Sequence, residues 1–111
     1  MINNLDEQVA CAQRAGFVFK KPILRVMRKP VVLDDSSGVP YFPSGIAHMN
    51  YNIILLANYA SYETMAHELG HIIDWQTRRK GHPFFRGKEK MGSQEFANAI
   101  MEVILAECLP K

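Results

Sequence analysis

Glu63-Thr64-Met65-Ala66-His67-Glu68-Leu69-Gly70-His71-Ile72-Ile73-Asp74 holds two histidines four residues apart with a glutamate directly after the first, the pattern H-E-x-x-H. The surrounding residues predict one long helix. Ser61 can cap it and Glu63 sits in its first turn, while Arg78, Arg79 and Lys80 fall in its last turn, with Gly81 as terminator and Pro83 beyond. On such a helix His67 and His71 share a face about 6 Å apart along the axis, so their imidazoles can converge on one metal ion. Zinc accepts imidazole nitrogen at about 2.0–2.1 Å. Glu68, one helical step away, can take a proton from water beside that ion and is the candidate general base. At average residue frequencies, two histidines and a glutamate in these positions arise by chance about once in a few hundred chains of this length. Gly70 strengthens the reading: a helix-interior glycine costs about 1 kcal/mol relative to alanine, which close packing against a neighbouring element would explain.

A catalytic zinc takes three protein ligands plus water, so another His, Asp or Glu should approach from elsewhere. Glu95 is the preferred third ligand. It opens a second helix that starts at Ser93 after Gly92, stops before Pro110 and can pack antiparallel to the first. Glu102, which shares a face with Asn98, is the main competitor. His48 and His82 are weaker candidates, since a lone loop histidine is more often solvated or hydrogen-bonded. Tyr41, Tyr51, Tyr59, Tyr62 and His82 are all available to stabilise an oxyanion, and the sequence does not rank them. Asp74 can either accept the free ring N–H of a liganding histidine or pair with Arg78 at i+4. Trp75 is expected in the core.

The first half of the chain reads as a helix followed by a small sheet. Leu5, Val9 and Ala12 recur at helical spacing over residues 3–15, with Asn3 or Asn4 as cap and Gly16 as stop. Aromatic and β-branched residues between Phe17 and Leu33, interrupted by Pro22 and Pro30, predict two short strands. Asp34-Asp35-Ser36-Ser37-Gly38 is a turn, and Pro40, Pro43 and Gly45 keep the next stretch irregular or at a sheet edge. Residues 51–57 are the best strand. With 111 residues, 48% of them hydrophobic and 22% charged, the expectation is one α+β domain over residues 1–111 with a modest core.

The longest apolar run, residues 53–57, is far short of the ~20 residues of a membrane span. No secretory signal pattern opens the chain, so a cytoplasmic protein is the default. Cys11 and Cys108 are expected as buried small hydrophobes. The net charge of +2 conceals a +5 excess in residues 78–90. A charged loop of this length is more often simply solvated; it can otherwise serve a protein partner, whereas nucleic-acid binding would rest on that loop alone.

With these residues in place, the chain resembles the gluzincin metallopeptidases, in which H-E-x-x-H is followed by a glutamate on a downstream helix. Residues 51–56 followed by 63–71 are similar to the strand-then-motif-helix order of zincins. Residues 95–99 are similar to the glutamate-bearing helix of small ImmA/IrrE-type phage and mobile-element peptidases and of lethal-factor-like toxins. In those families the glutamate lies three residues before the matching alanine, a place held by Gln94 when Ala97 is matched. The resemblance implies a zincin-like fold: an N-terminal helix, a small mixed sheet, the motif helix and a C-terminal ligand-bearing helix. It also implies a strand, here residues 53–57, that holds substrate in extended form. The expected function is that of a Zn2+-dependent peptidase acting on a protein or peptide, with His67, His71 and Glu95 on the metal and Glu68 as base. The competing expectation is a non-catalytic interaction module that binds a protein partner through the basic loop.

Overall fold

Leu5, Val9 and Ala12 point to one side of helix α1 (Leu5–Arg14), which has Asn4 at its N-cap position. The computed structural model describes residues 4–29, 32–34, 37–38, 40–41, 43–78 and 80–109. Asn3, Pro30, Val31, Asp35, Ser36, Arg79 and Pro110, which carried parts of the cap, strand, turn, basic-loop and helix-stop expectations, lie outside the described residues. The strands expected between Phe17 and Leu33 are β1 (Ile23–Val26) and the start of β2 (Leu33–Asp34). Phe17 joins neither. It is buried in the core instead, where its ring stacks on His82 at 4.6 Å.

Strand β2 pairs antiparallel with β3 (Pro40–Tyr41) as a separate two-stranded ribbon. The main sheet has three strands in the order β1, β5, β4, with β4 spanning Gly45–His48 and β5 Ile53–Leu56. β5 runs parallel to β1 and antiparallel to β4, so it is the central strand and both of its edges are hydrogen-bonded. Its alternation serves the core: Ile54 and Leu56 are fully buried, while Ile53 and Leu55 are half-buried. The strand begins later than expected, because Met49–Tyr51 forms a 3-10 turn.

Helix α2 (Tyr62–Thr77) starts as the cap predicts, with Ser61 Oγ accepting the Thr64 N–H at 3.1 Å. It stops at Thr77, directly before the basic triplet expected in its last turn: Lys80 N–H closes a turn on the Thr77 carbonyl at 2.9 Å, and Gly81 follows at φ +74°. Helix α3 (Ser93–Cys108) begins where its start signal lies. The core joins one side of the sheet to the helices through Ile54, Leu56, Met65, Leu69, Ile72, Ile73, Phe96, Ile100 and Ile104. The architecture is therefore a mixed α+β one. Among the described residues no helix is long and apolar enough to cross a membrane.

Cys11 and Cys108 are buried, but they are not separate small hydrophobes. They form a disulfide, with Cα atoms 5.6 Å apart, that ties α1 to the end of α3 across a sequence separation of 97 residues. Helix packing brings the two chain ends together, which distance along the sequence conceals. Closing so long a loop restricts the unfolded chain, and the double variant Cys11→Ala/Cys108→Ala is expected to lose about 2–4 kcal/mol in urea unfolding. A variant with the wild-type midpoint and slope would contradict that contribution.

Candidate functional site

The antiparallel contact between α2 and α3 creates the site. Their axes come close because Gly70 faces Ala97: a Cβ on Gly70 would sit 2.5 Å from the Ala97 carbonyl oxygen and 3.1 Å from its Cα. The expected reason for a glycine at this position, close packing, is what the structure shows. On either side of this contact the side chains meet in antiparallel register, His67 with Asn98 and His71 with Gln94.

Three donor atoms converge there. His67 Nε2 lies 2.9 Å from Gln94 Oε1, His71 Nε2 lies 3.2 Å from Gln94 Oε1, and the two imidazole nitrogens are 3.2 Å apart. His67 Nδ1–H donates to Asn98 Oδ1 at 2.8 Å, which leaves the lone pair of His67 Nε2 facing Gln94. In the His67 tautomer that carries its proton on Nδ1, and with the Gln94 oxygen turned this way, two acceptors face each other, a setting suited to a shared cation. The size fits as well: four ligands at 2.0–2.1 Å in a tetrahedron are about 3.3–3.4 Å apart, close to the edges observed. Among the described residues there is no cluster of three or more His, Cys, Asp or Glu side chains placed for one metal, because the third convergent donor is an amide.

Glu95 is not brought to the histidines. Its carboxylate turns back to accept the Gly92 N–H at 3.4 Å, half of a capping box at the start of α3. Adjacent residues on a helix diverge by about 100°, so when Gln94 faces α2 its neighbour cannot. Glu102 is exposed on α3 and does not join the cluster. His48 is exposed at the end of β4; His82 packs on Phe17 and accepts the Phe84 N–H through Nδ1 at 3.0 Å. Tyr41, Tyr51 and Tyr59 are exposed, and the Tyr62 hydroxyl donates to Glu7. Asp74 takes the ion-pair alternative, receiving Arg78 Nε and Nη2 at 2.7 and 2.8 Å. The histidine-orienting group is Asn98, which the sequence places on a shared face with Glu95 and Glu102 without giving it a role.

Glu68 lies beside His67 and is 8% exposed. Burial pushes its carboxyl above the usual range, partly offset by His67. The His71 imidazole is lowered, first by burial and then by His67, against weaker opposing effects of Gln94 and Asp74. Both Glu68 and His67 line an open cleft of about 390 Å³, together with Pro43, Ser44, Gly45 and Thr64. The cleft opens at the start of β4, where Gly45 lines it, and no residue of β5 does. Since β5 is paired on both sides, it cannot hold an added strand as expected, whereas β4 pairs only with β5 among the described residues.

Trp75 is not in the core. It is 59% exposed, one turn beyond His71 on α2. The basic loop is anchored by aromatic packing of Phe84 and Phe85 on Phe17. Arg78 is held by Asp74 and Lys88 lies 3.6 Å from the Phe84 ring centroid, so among the described residues Lys80, Arg86 and Lys90 carry its exposed positive charge. Comparison of the chain with protein-family models, with curated proteins and with solved structures found no match.

Proposed function

We propose that this chain is a zinc-dependent peptidase of zincin type, with His67, His71 and Gln94 holding the metal and Glu68 serving as general base. The convergence of His67 Nε2, His71 Nε2 and Gln94 Oε1 beside a buried carboxylate carries the reading. Zinc bound there would supply a Lewis acid for the scissile carbonyl and acidify water. The chain's own residues supply the rest. Asn98 fixes the His67 ring and its tautomer. The outer edge of β4, unpaired among the described residues, offers backbone groups that align an extended peptide beside the cleft. Glu68 takes a proton from water as its oxygen attacks the carbonyl carbon, then passes it to the leaving nitrogen as the C–N bond breaks. Its upward displacement by burial suits a group that must both accept and return a proton.

The test is metal analysis of the purified protein joined to hydrolysis of unfolded casein, for wild type and for His67→Ala/His71→Ala. About one zinc per chain and zinc-dependent cleavage, both lost in the variant, are expected. Absence of zinc binding by the wild type overturns the reading.

The amide of Gln94 favours a second reading, a zincin-fold module that binds a protein partner without catalysis, with Lys80, Arg86 and Lys90 as its docking charges. A neutral oxygen holds zinc less firmly than a carboxylate. Gln94→Glu is therefore expected to tighten zinc by about one to two orders of magnitude, in line with ~1–4 kcal/mol for a unit charge pair between water and protein-surface dielectric. Competition with a chromophoric chelator measures it; unchanged affinity would place position 94 outside the coordination sphere. A cytoplasmic setting is likewise a proposal, against which the Cys11–Cys108 bond weighs, since disulfides persist in oxidising compartments.

A further inference from the structure

We infer that the hollow walled by Trp75 and Met49 is a specificity pocket that takes a bulky apolar side chain, aromatic or methionine-like, from an extended peptide lying along β4. The inference rests on the peptidase reading of the neighbouring His67–His71 site and names its substrate class. The hollow measures about 680 Å³ and is lined by Met49, Asp74, Trp75, Arg78 and Ser93. Three of these residues are tied to the site: Ser93 precedes Gln94, Trp75 follows His71 by one helical turn, and Met49 directly follows β4.

The spacing is that of a peptide. One helical turn advances about 5.4 Å, and two residues of a strand advance about 6.4–6.8 Å. A chain extended along β4 across the His67–His71 pair therefore brings a side chain to Trp75 within about two residues of the bond at the histidines. β4 runs in the required direction, from Gly45 beside Thr64 and Glu68 to the Ala47–Met49 stretch that borders Trp75.

The chemistry of the walls selects the guest. Trp75 presents an exposed indole to the hollow, and Met49 adds a polarizable thioether that packs well on rings. The two charges in the hollow cancel: Arg78 is bidentate on Asp74, with its guanidinium 4.1 Å from the centroid of Phe96. A charged guest gains no free counter-ion there and loses hydration, whereas an apolar guest removes the Trp75 ring from water.

Trp75 is the only tryptophan of the chain, so its emission reports occupancy directly. The probe is acetyl-Ala-Ala-Phe-Ala-Ala-amide, titrated into wild type in the presence of EDTA so that no turnover occurs, alongside peptides with Ala, Asp or Lys in place of Phe. A saturable blue shift is expected with the Phe peptide, with binding weaker by about tenfold or more for Asp and Lys. Ser93→Phe, which fills the mouth from an exposed position, should abolish the difference while retaining the wild-type circular dichroism. Equal binding of all four peptides, or no response of Trp75, overturns the inference.

Mapping casein cleavage sites with zinc present separates this from the peptidase reading. Cleavage without apolar enrichment at a fixed position removes the pocket and keeps the peptidase. Phe-selective binding without zinc-dependent cleavage keeps the pocket and removes the peptidase.

Discussion

Glu68→Gln is expected to slow zinc-dependent hydrolysis of casein by about 10²–10⁴-fold while leaving the zinc content of the protein unchanged. Glutamine is nearly isosteric and fills the same buried place beneath β4, but it cannot accept a proton at neutral pH. The carboxylate is not one of the three convergent donors, so its removal leaves the coordination set intact. Stability should not fall either. Burial raises the Glu68 carboxyl above its unfolded value, so in the metal-free protein its stabilising contribution is fully present below the unfolded pKa and is lost as pH rises through the folded one. At neutral pH the ionised group is a desolvated charge, which glutamine relieves. The variant should therefore unfold at the same or a higher temperature than metal-free wild type at pH 7. Its advantage should shrink on acidification. Casein cleavage at the wild-type rate would dismiss Glu68 as the base, and a loss of zinc together with activity would assign it to the coordination sphere instead.

The long helix could be read in advance because every signal for it is local: the Ser61 cap, the spacing of the histidines and a glycine that predicts a close neighbour. The strand at residues 53–56 follows equally from a short run of β-formers. What escaped depends on how the elements meet. Which residue of α3 faces the histidines is set by the seating of Gly70 on Ala97, and a rotation of one residue exchanges Gln94 for Glu95. The composition of α3 says nothing about that rotation, and a carboxylate is the more familiar ligand. Trp75 looks like core by its chemistry, yet its position places it on the open side of α2, one turn past His71. Likewise β5 is the strongest strand in the sequence because both of its neighbours bury it, and for that reason it cannot be the one that accepts substrate. The edge strand β4 is shorter and weaker in pattern, as exposed edges are. The pairing of Cys11 with Cys108 needs the whole fold to bring the ends of α1 and α3 together.

Gly70→Val is expected to destabilise the protein by about 3–5 kcal/mol and to abolish zinc binding, the largest structural effect of any single change at the site. Two opposing terms decide the sign. Any side chain in place of glycine gains helix propensity, at most about 1 kcal/mol for alanine and less for β-branched valine. Against this, the added Cβ would stand 2.5 Å from the Ala97 carbonyl oxygen and 3.2 Å from its carbonyl carbon. Those atoms belong to the backbone of α3, so no rotamer change can move them aside. The helices must separate or α3 must rotate, and either motion pulls Gln94 and Asn98 away from His71 and His67, whose contacts span only 2.8–3.2 Å. Gly70→Ala, with one methyl group, should fall between wild type and valine in both stability and zinc affinity. Urea unfolding with parallel zinc titration tests the coupling: a valine variant that keeps wild-type stability would show that the helices do not need this approach. If it is destabilised yet retains wild-type zinc affinity, α3 does not supply a ligand.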